Sequence, residues 1–186
     1  MSIGLSPESK TTHFPRCFLA LSSFEHALIN DSRPAHEFPL LRRIWLGTHP
    51  MPELLTGLGK KVSGWGRQIA LKSPVSPKKV EIDLYSATVA ELGFKDNATW
   101  QQVCDRILNL GYRYCPPEAG PQLRRQYEDQ PNGEYLWLVM EPIADADAVL
   151  GVFYVFCGNE SGAWLSAGDG HPKDTLDPSS RVVFSR

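Results

Sequence analysis

Seven polar side chains with chemical potential crowd into the block from Tyr114 to Ile143: Glu118, Arg124, Arg125, Gln126, Gln130, Glu134 and Glu141. Two adjacent arginines followed by a glutamine make a planar donor set that matches a carboxylate or phosphate. The three glutamates can accept from backbone N–H groups or from a basic partner. Read as one surface, the seven point to a binding module for a protein or a small ligand, with no cofactor. A different selection, Glu118, Arg124, Glu141 and His171, is a carboxylate–histidine–arginine set of the kind that supports general acid–base chemistry in a small hydrolase or transferase. That reading needs the fold to bring four distant residues together. Nothing local supplies a nucleophile with its base and orienter, and GxxxxGK[ST], GxGxxG, GxSxG and HExxH are all absent. Asp169-Gly-His-Pro pairs an acid with His171, but glycine, aspartate and proline are also what a tight turn requires. Binding without catalysis is the expectation.

These residues must be positioned by the elements that carry them. Pro121 is expected to open a helix at its first position and Pro131 to stop it. On that helix Leu123 and Tyr127 lie four apart and face the core, while Arg124 and Glu128 are spaced to pair at the surface. Glu118 precedes the helix, where a carboxylate complements the N-terminal dipole. Glu134 to Ile143 reads as one strand. Leu136, Leu138 and Met140 form its core face, with Tyr135, Trp137, Val139 and Glu141 on the other. Cover by a helix is expected for that second face, which would bury Glu141 and require a partner for it, Arg124.

The surrounding chain alternates short helices and strands. Residues 17–29 are apolar enough for a helix, Leu41 to Gly47 approximates a strand, and Pro50 to Lys61 reads as a helix with Pro52 near its start. Residues 63–72 form another helical piece, with Trp65 and Ile69 on one side. Val80 to Ala87 alternates as a half-buried strand. Trp100, Val103, Cys104, Ile107 and Leu108 make one apolar helical stripe, with Thr99 and Gln102 as a capping box and Gly111 past its end. Leu150 to Gly158 is apolar enough to be a central strand, and shorter strands follow at 163–168 and 182–185. Strands that succeed one another without helices pair antiparallel. The fold class is therefore α+β: a mostly antiparallel sheet with helices covering one face. Residues 1–40 are expected to be a partly flexible extension, and 41–186 a single domain.

Composition narrows the classes. No apolar run reaches the roughly 20 residues of a bilayer span, so no membrane partner is expected, and the first residues lack the pattern of a signal peptide. Cys17, Cys104, Cys115 and Cys157 form no CxxC pair, so they read as free thiols of a cytoplasmic protein without a metal. Charge is uneven. Residues 1–80 carry 11 lysines and arginines against 5 acids, a net +6; residues 81–186 carry 8 against 16, a net −8. Nucleic-acid binding through Arg42, Arg43, Lys60, Lys61, Arg67, Lys72, Lys78 and Lys79 is the weaker alternative, because neither half holds a long like-charge run and each can pack against the other.

The runs Ile44-WLGTH, Ser63-GWGRQI, Val89-AELGF, Cys115-PPEAGPQLRRQYEDQPNGE and Met140-EPI resemble a group of small bacterial proteins of unassigned function. These share LGT(H/K), (I/V)SxW, AELGF and CPxExGPxLRxQYxDQPxGE…MEPI blocks. The resemblance covers about residues 42–186 and implies kinship without an activity. It departs after Trp65, where Gly66-Arg67 stands in place of acidic or polar residues.

Overall fold

The computed structural model describes residues 37–186, so the helix expected over 17–29 and the arm before it lie outside the described residues. Thirteen elements follow in order: β1 (Leu40–Leu46), α1 (Met51–Leu58), α2 (Gly64–Lys72), β2 (Val80–Thr88), β3 (Ala98–Thr99), α3 (Trp100–Asn109), α4 (Ala119–Gln126), β4 (Tyr135–Leu138), β5 (Ile143–Ala144), β6 (Leu150–Gly158), β7 (Gly162–Asp169), β8 (Thr175–Leu176) and β9 (Arg181–Ser185). The class is α+β. Seven strands make one sheet in the order β1-β2-β9-β4-β6, with β5 continuing along the β4 side of β6 and β7 on its other side. All pairs are antiparallel except β4 with β9. β3 and β8 form a separate two-stranded ladder.

Alternation along β6 sorts its two faces. Gly151 and Phe153 point to the helices: a methyl at Gly151 would touch Trp65 and Ile69 of α2, and Gly120 of α4 lies against the Phe153 ring. At Gly120 an added Cβ would sit 2.7 Å from that ring, so only glycine lets helix and sheet approach this closely. Tyr154 and Phe156 point the other way. Farther along the sheet, Phe38, Tyr85, Tyr112 and Phe184 pack edge-to-face or tilted, with centroids 4.8–5.7 Å apart. Tyr112 follows α3, which is held by the Thr99–Gln102 capping box.

Three local expectations are corrected. α4 begins at Ala119, so Pro121 is its third residue, still within the turn whose N–H groups have no helical acceptor. It ends at Gln126, well before Pro131. The single strand from Glu134 is broken into β4 and β5. Pairing with β6 stops at Trp137 while Val139 still donates to the Val183 carbonyl of β9 at 2.8 Å, Met140 offers its sulfur to the Phe153 N–H at 3.5 Å, and Pro142 has no N–H to give. In β2, burial is continuous over Leu84 to Ala87 because β1 and β9 flank the strand and Tyr85 enters the aromatic cluster.

Candidate functional site

The polar block of α4 faces the end of β1 residue by residue. Glu118, only 1% exposed, accepts the Gly47 N–H at 2.7 Å and the Ser76 N–H at 2.8 Å, and takes a third bond from the Gln122 amide at 2.9 Å. Gln122 also donates to Thr48 Oγ1 at 2.8 Å. The Gln126 amide accepts from the Trp45 N–H and donates to the Trp45 carbonyl, both at 2.9 Å, mimicking a neighbouring strand on the β1 edge. Arg125 lies against the His49 ring, 3.0 Å from Nδ1. Gly47 sits at φ +64, and a Cβ there would lie 2.2 Å from the Lys78 carbonyl oxygen, so the position is open only to glycine. The LGTH run and the CPPEAGPQLRRQ run are thus two halves of one interlock, and much of their polarity is structural.

Arg124 is buried as well. Its guanidinium donates to Gln130 Oε1 and to the Tyr127 carbonyl, and burial pulls its pKa below the usual arginine value. It therefore pairs with neither Glu128 nor Glu141, both exposed. Gln130 is spent between Arg124 and the Glu134 and Val155 carbonyls. Glu118 occupies the N-cap position of α4 but makes no cap bond, since its carboxylate is turned into the two loops. The expected continuous polar surface does not form: Glu118, Arg124 and Gln130 lie inside, and Gln126 holds β1. Arg125 remains exposed beside a cavity of about 520 Å³ walled by Lys61 and Glu128.

The acid–base set is dispersed too. Glu118 and Arg124 are committed as above, and Glu141 stands at a cavity of about 330 Å³ with Cys104, Tyr114 and Trp100. His171 closes its own turn, where Asp174 accepts its N–H and its ring accepts the Lys173 N–H. Burial pushes the Cys104 thiol up to about 11 and the Tyr114 phenol up to about 12, so neither is a nucleophile near neutrality. Among the described residues no group of three or more acidic, histidine or cysteine side chains is arranged for a metal, and no helix is long and apolar enough to cross a membrane. Five of the eight basic residues of the nucleic-acid alternative have partners in the fold: Arg42 with Asp129, Arg43 with Asp83, Arg67 with the Gly59 carbonyl, Lys72 with the Ala144 carbonyl, and Lys79 over the Trp45 ring.

Among the described residues, no helix provides the expected cover over Tyr135 and Trp137. Cross-strand register sets Tyr135, Phe156 and Trp164 in one row of β4, β6 and β7, with Trp137 and Tyr154 in the next. Tyr135 and Phe156 are 4.9 Å apart and tilted by 13°; Phe156 and Trp164 are 6.5 Å apart at the same tilt. At 4.9 Å parallel rings are offset-stacked, so they stand on edge from the sheet. Tyr135 is 48% exposed, and the other four are half-buried. Glycine again makes room: a Cβ at Gly168 would come within 2.5 Å of the Trp137 ring, which lies across β7. A groove of about 590 Å³ runs beside Tyr135 and Trp137, bordered by Glu134, Asp177 and Arg181. Glu134 keeps Oε2 buried without a hydrogen-bond partner, and its charge, after burial, helps hold the Tyr127 phenol up at about 12. The signal for this site was present in the alternation of Tyr135 and Trp137. Its extension to Tyr154, Phe156 and Trp164 required the strand register.

Neither protein-family profiles, curated proteins nor solved structures give a match to this chain.

Proposed function

We propose that this chain is a non-catalytic binding module of the bacterial cytoplasm that recognises a protein partner through the aromatic rows of β4, β6 and β7. The observation that carries this reading is the uncovered stack headed by Tyr135. Aromatic rings grouped on rigid strands offer large contact area at small entropic cost, which is what dominates protein interfaces. In this reading α2 and α4 cover one face of β6 and β7 and leave the other to the partner. The interlock of the LGTH and CPPEAGPQLRRQ runs is then scaffold, and kinship with the bacterial proteins that share those runs extends to the scaffold first. Glu134, Asp169, Asp174 and Asp177 outnumber Arg181 around the rows, a net negative charge that repels nucleic-acid phosphates and favours protein as the partner class.

Photo-crosslinking tests the proposal. A benzophenone amino acid replaces Tyr135 on the aromatic face in one variant and Glu128 on the helical side in another, both in native cells. A discrete crosslinked species from position 135 and none from 128 is expected. Crosslinking only from position 128, or the same products from both, would overturn it.

A further inference from the structure

A second cavity, of about 310 Å³, adjoins the groove and shares Trp137, Thr175 and Leu176 with it. Its remaining walls are Trp100, Asp169 and Asp174. Two indoles and two carboxylates enclose a space at the small end of the range for ligand cavities, about 300–1,000 Å³, and no lysine or arginine lines it. Among the described residues the Asp169 carboxylate has no hydrogen-bond or ion-pair partner. Asp174 uses Oδ2 to accept the His171 N–H at 3.2 Å and keeps Oδ1. Trp100 is 97% buried by its 3% exposure, yet its indole N–H has no hydrogen-bond partner. A buried donor without an acceptor is unfavourable, and here it belongs to a residue of the cavity wall.

We infer that this cavity is a site for an organic cation, an alkylammonium or guanidinium head group. The cation sits over the Trp137 face, where the ring quadrupole attracts positive charge, and Asp169 and Asp174 neutralise it. Trp100 closes the floor. Gly168 is the device that sets the geometry. A side chain there would collide with the Trp137 ring and move it off β7, so the glycine holds the ring where it walls the cavity. The inference rests on the proposed function only in that Trp137 belongs to both surfaces; the head group comes either from a free small amine or from a lysine or arginine of the partner.

The test follows the indole N–H resonances of Trp100 and Trp137 by NMR in the full chain. The probes are n-butylammonium, methylguanidinium, and the blocked tripeptides Ac-Gly-Lys-Gly-NH2 and Ac-Gly-Arg-Gly-NH2, with n-pentanol as the neutral comparison. Saturable shifts of both indoles are expected with the cations and not with pentanol. Saturation by the free head groups assigns a small amine, and saturation by the tripeptides alone assigns a partner's side chain. Asp169→Asn with Asp174→Asn, both at exposed carboxylates, should weaken binding about tenfold, and Gly168→Ala should abolish it while distant amide resonances stay in place. Equal shifts with pentanol, or no saturable shift with any cation, would overturn the inference. Crosslinking at position 135 that persists in the Asp169/Asp174 variant would leave the proposed function standing without it.

Discussion

Replacing Glu118 by glutamine removes one acceptor oxygen from a carboxylate that holds two loops. Whichever way the new amide turns, its NH2 meets a backbone N–H, either of Gly47 or of Ser76. Keeping the oxygen at Oε1 is better, since it retains Gly47 and Gln122 and orphans only Ser76. An orphaned buried donor costs about 1–3 kcal/mol, and the two surviving bonds each weaken by about 1 kcal/mol as a charged acceptor becomes neutral. No arginine or lysine bonds to Glu118, so removing its buried charge offsets part of this. The net loss is about 2–3 kcal/mol, against about 4–5 kcal/mol for Glu118→Ala, which leaves the Gly47 and Ser76 N–H groups without an acceptor and Gln122 with Thr48 alone. Urea denaturation should show both losses at unchanged m-value, and hydrogen exchange should show the Gly47 and Ser76 amides losing protection together. A loss below about 0.5 kcal/mol in both variants would refute the interlock as a stabilising element.

Gln126→Leu removes the amide that pairs with Trp45 on the β1 edge; a loss of about 1–2 kcal/mol and greater self-association at high concentration are expected, read by denaturation and sedimentation. Gly120→Ala forces a methyl against Phe153 and should cost about 2–3 kcal/mol, read the same way. Stability should fall in alkali. Cys104 and Tyr114 have folded pKa values raised above their ordinary 9.0 and 10.0, to about 11 and about 12. The unfolded chain therefore loses these protons first, and stability that is complete below pH 9 declines as pH rises through the folded values. Denaturation midpoints measured across that window should fall less in Cys104→Ala, and an equal fall would remove the thiol from the account.

How far the sequence reached depended on how local each determinant is. The α3 capping box involves residues three apart, and it formed as read. The burial of Glu118 and Gln122 and the half-burial of Gln126 were not legible, because they bond to Trp45, Gly47 and Thr48, 71 to 81 residues away, whereas Arg124 is held close by, by Gln130 and Tyr127. A helix wheel carries no information about a strand end that arrives against it. Tyr135 and Trp137 were placed on one face by alternation, yet whether a helix covers that face depends on β6 and β7 supplying Tyr154, Phe156 and Trp164 beside them. The strand break at Val139 was masked by a hydrophobic run that stays buried while its pairing with β6 lapses and only its bonds to β9 continue.

Partner binding by folded variants of the two faces tests the central claim most directly. The crosslinked partner, once isolated, is titrated against wild type, Tyr135→Ser with Phe156→Ser, and Arg125→Ala, each first verified by its amide spectrum. Affinity should fall about 100-fold or more for the aromatic pair and stay within about twofold for Arg125→Ala, whose exposed contact with His49 counts for little. Unchanged affinity in the aromatic pair, with loss in Arg125→Ala, would contradict the account and move recognition to the helical side.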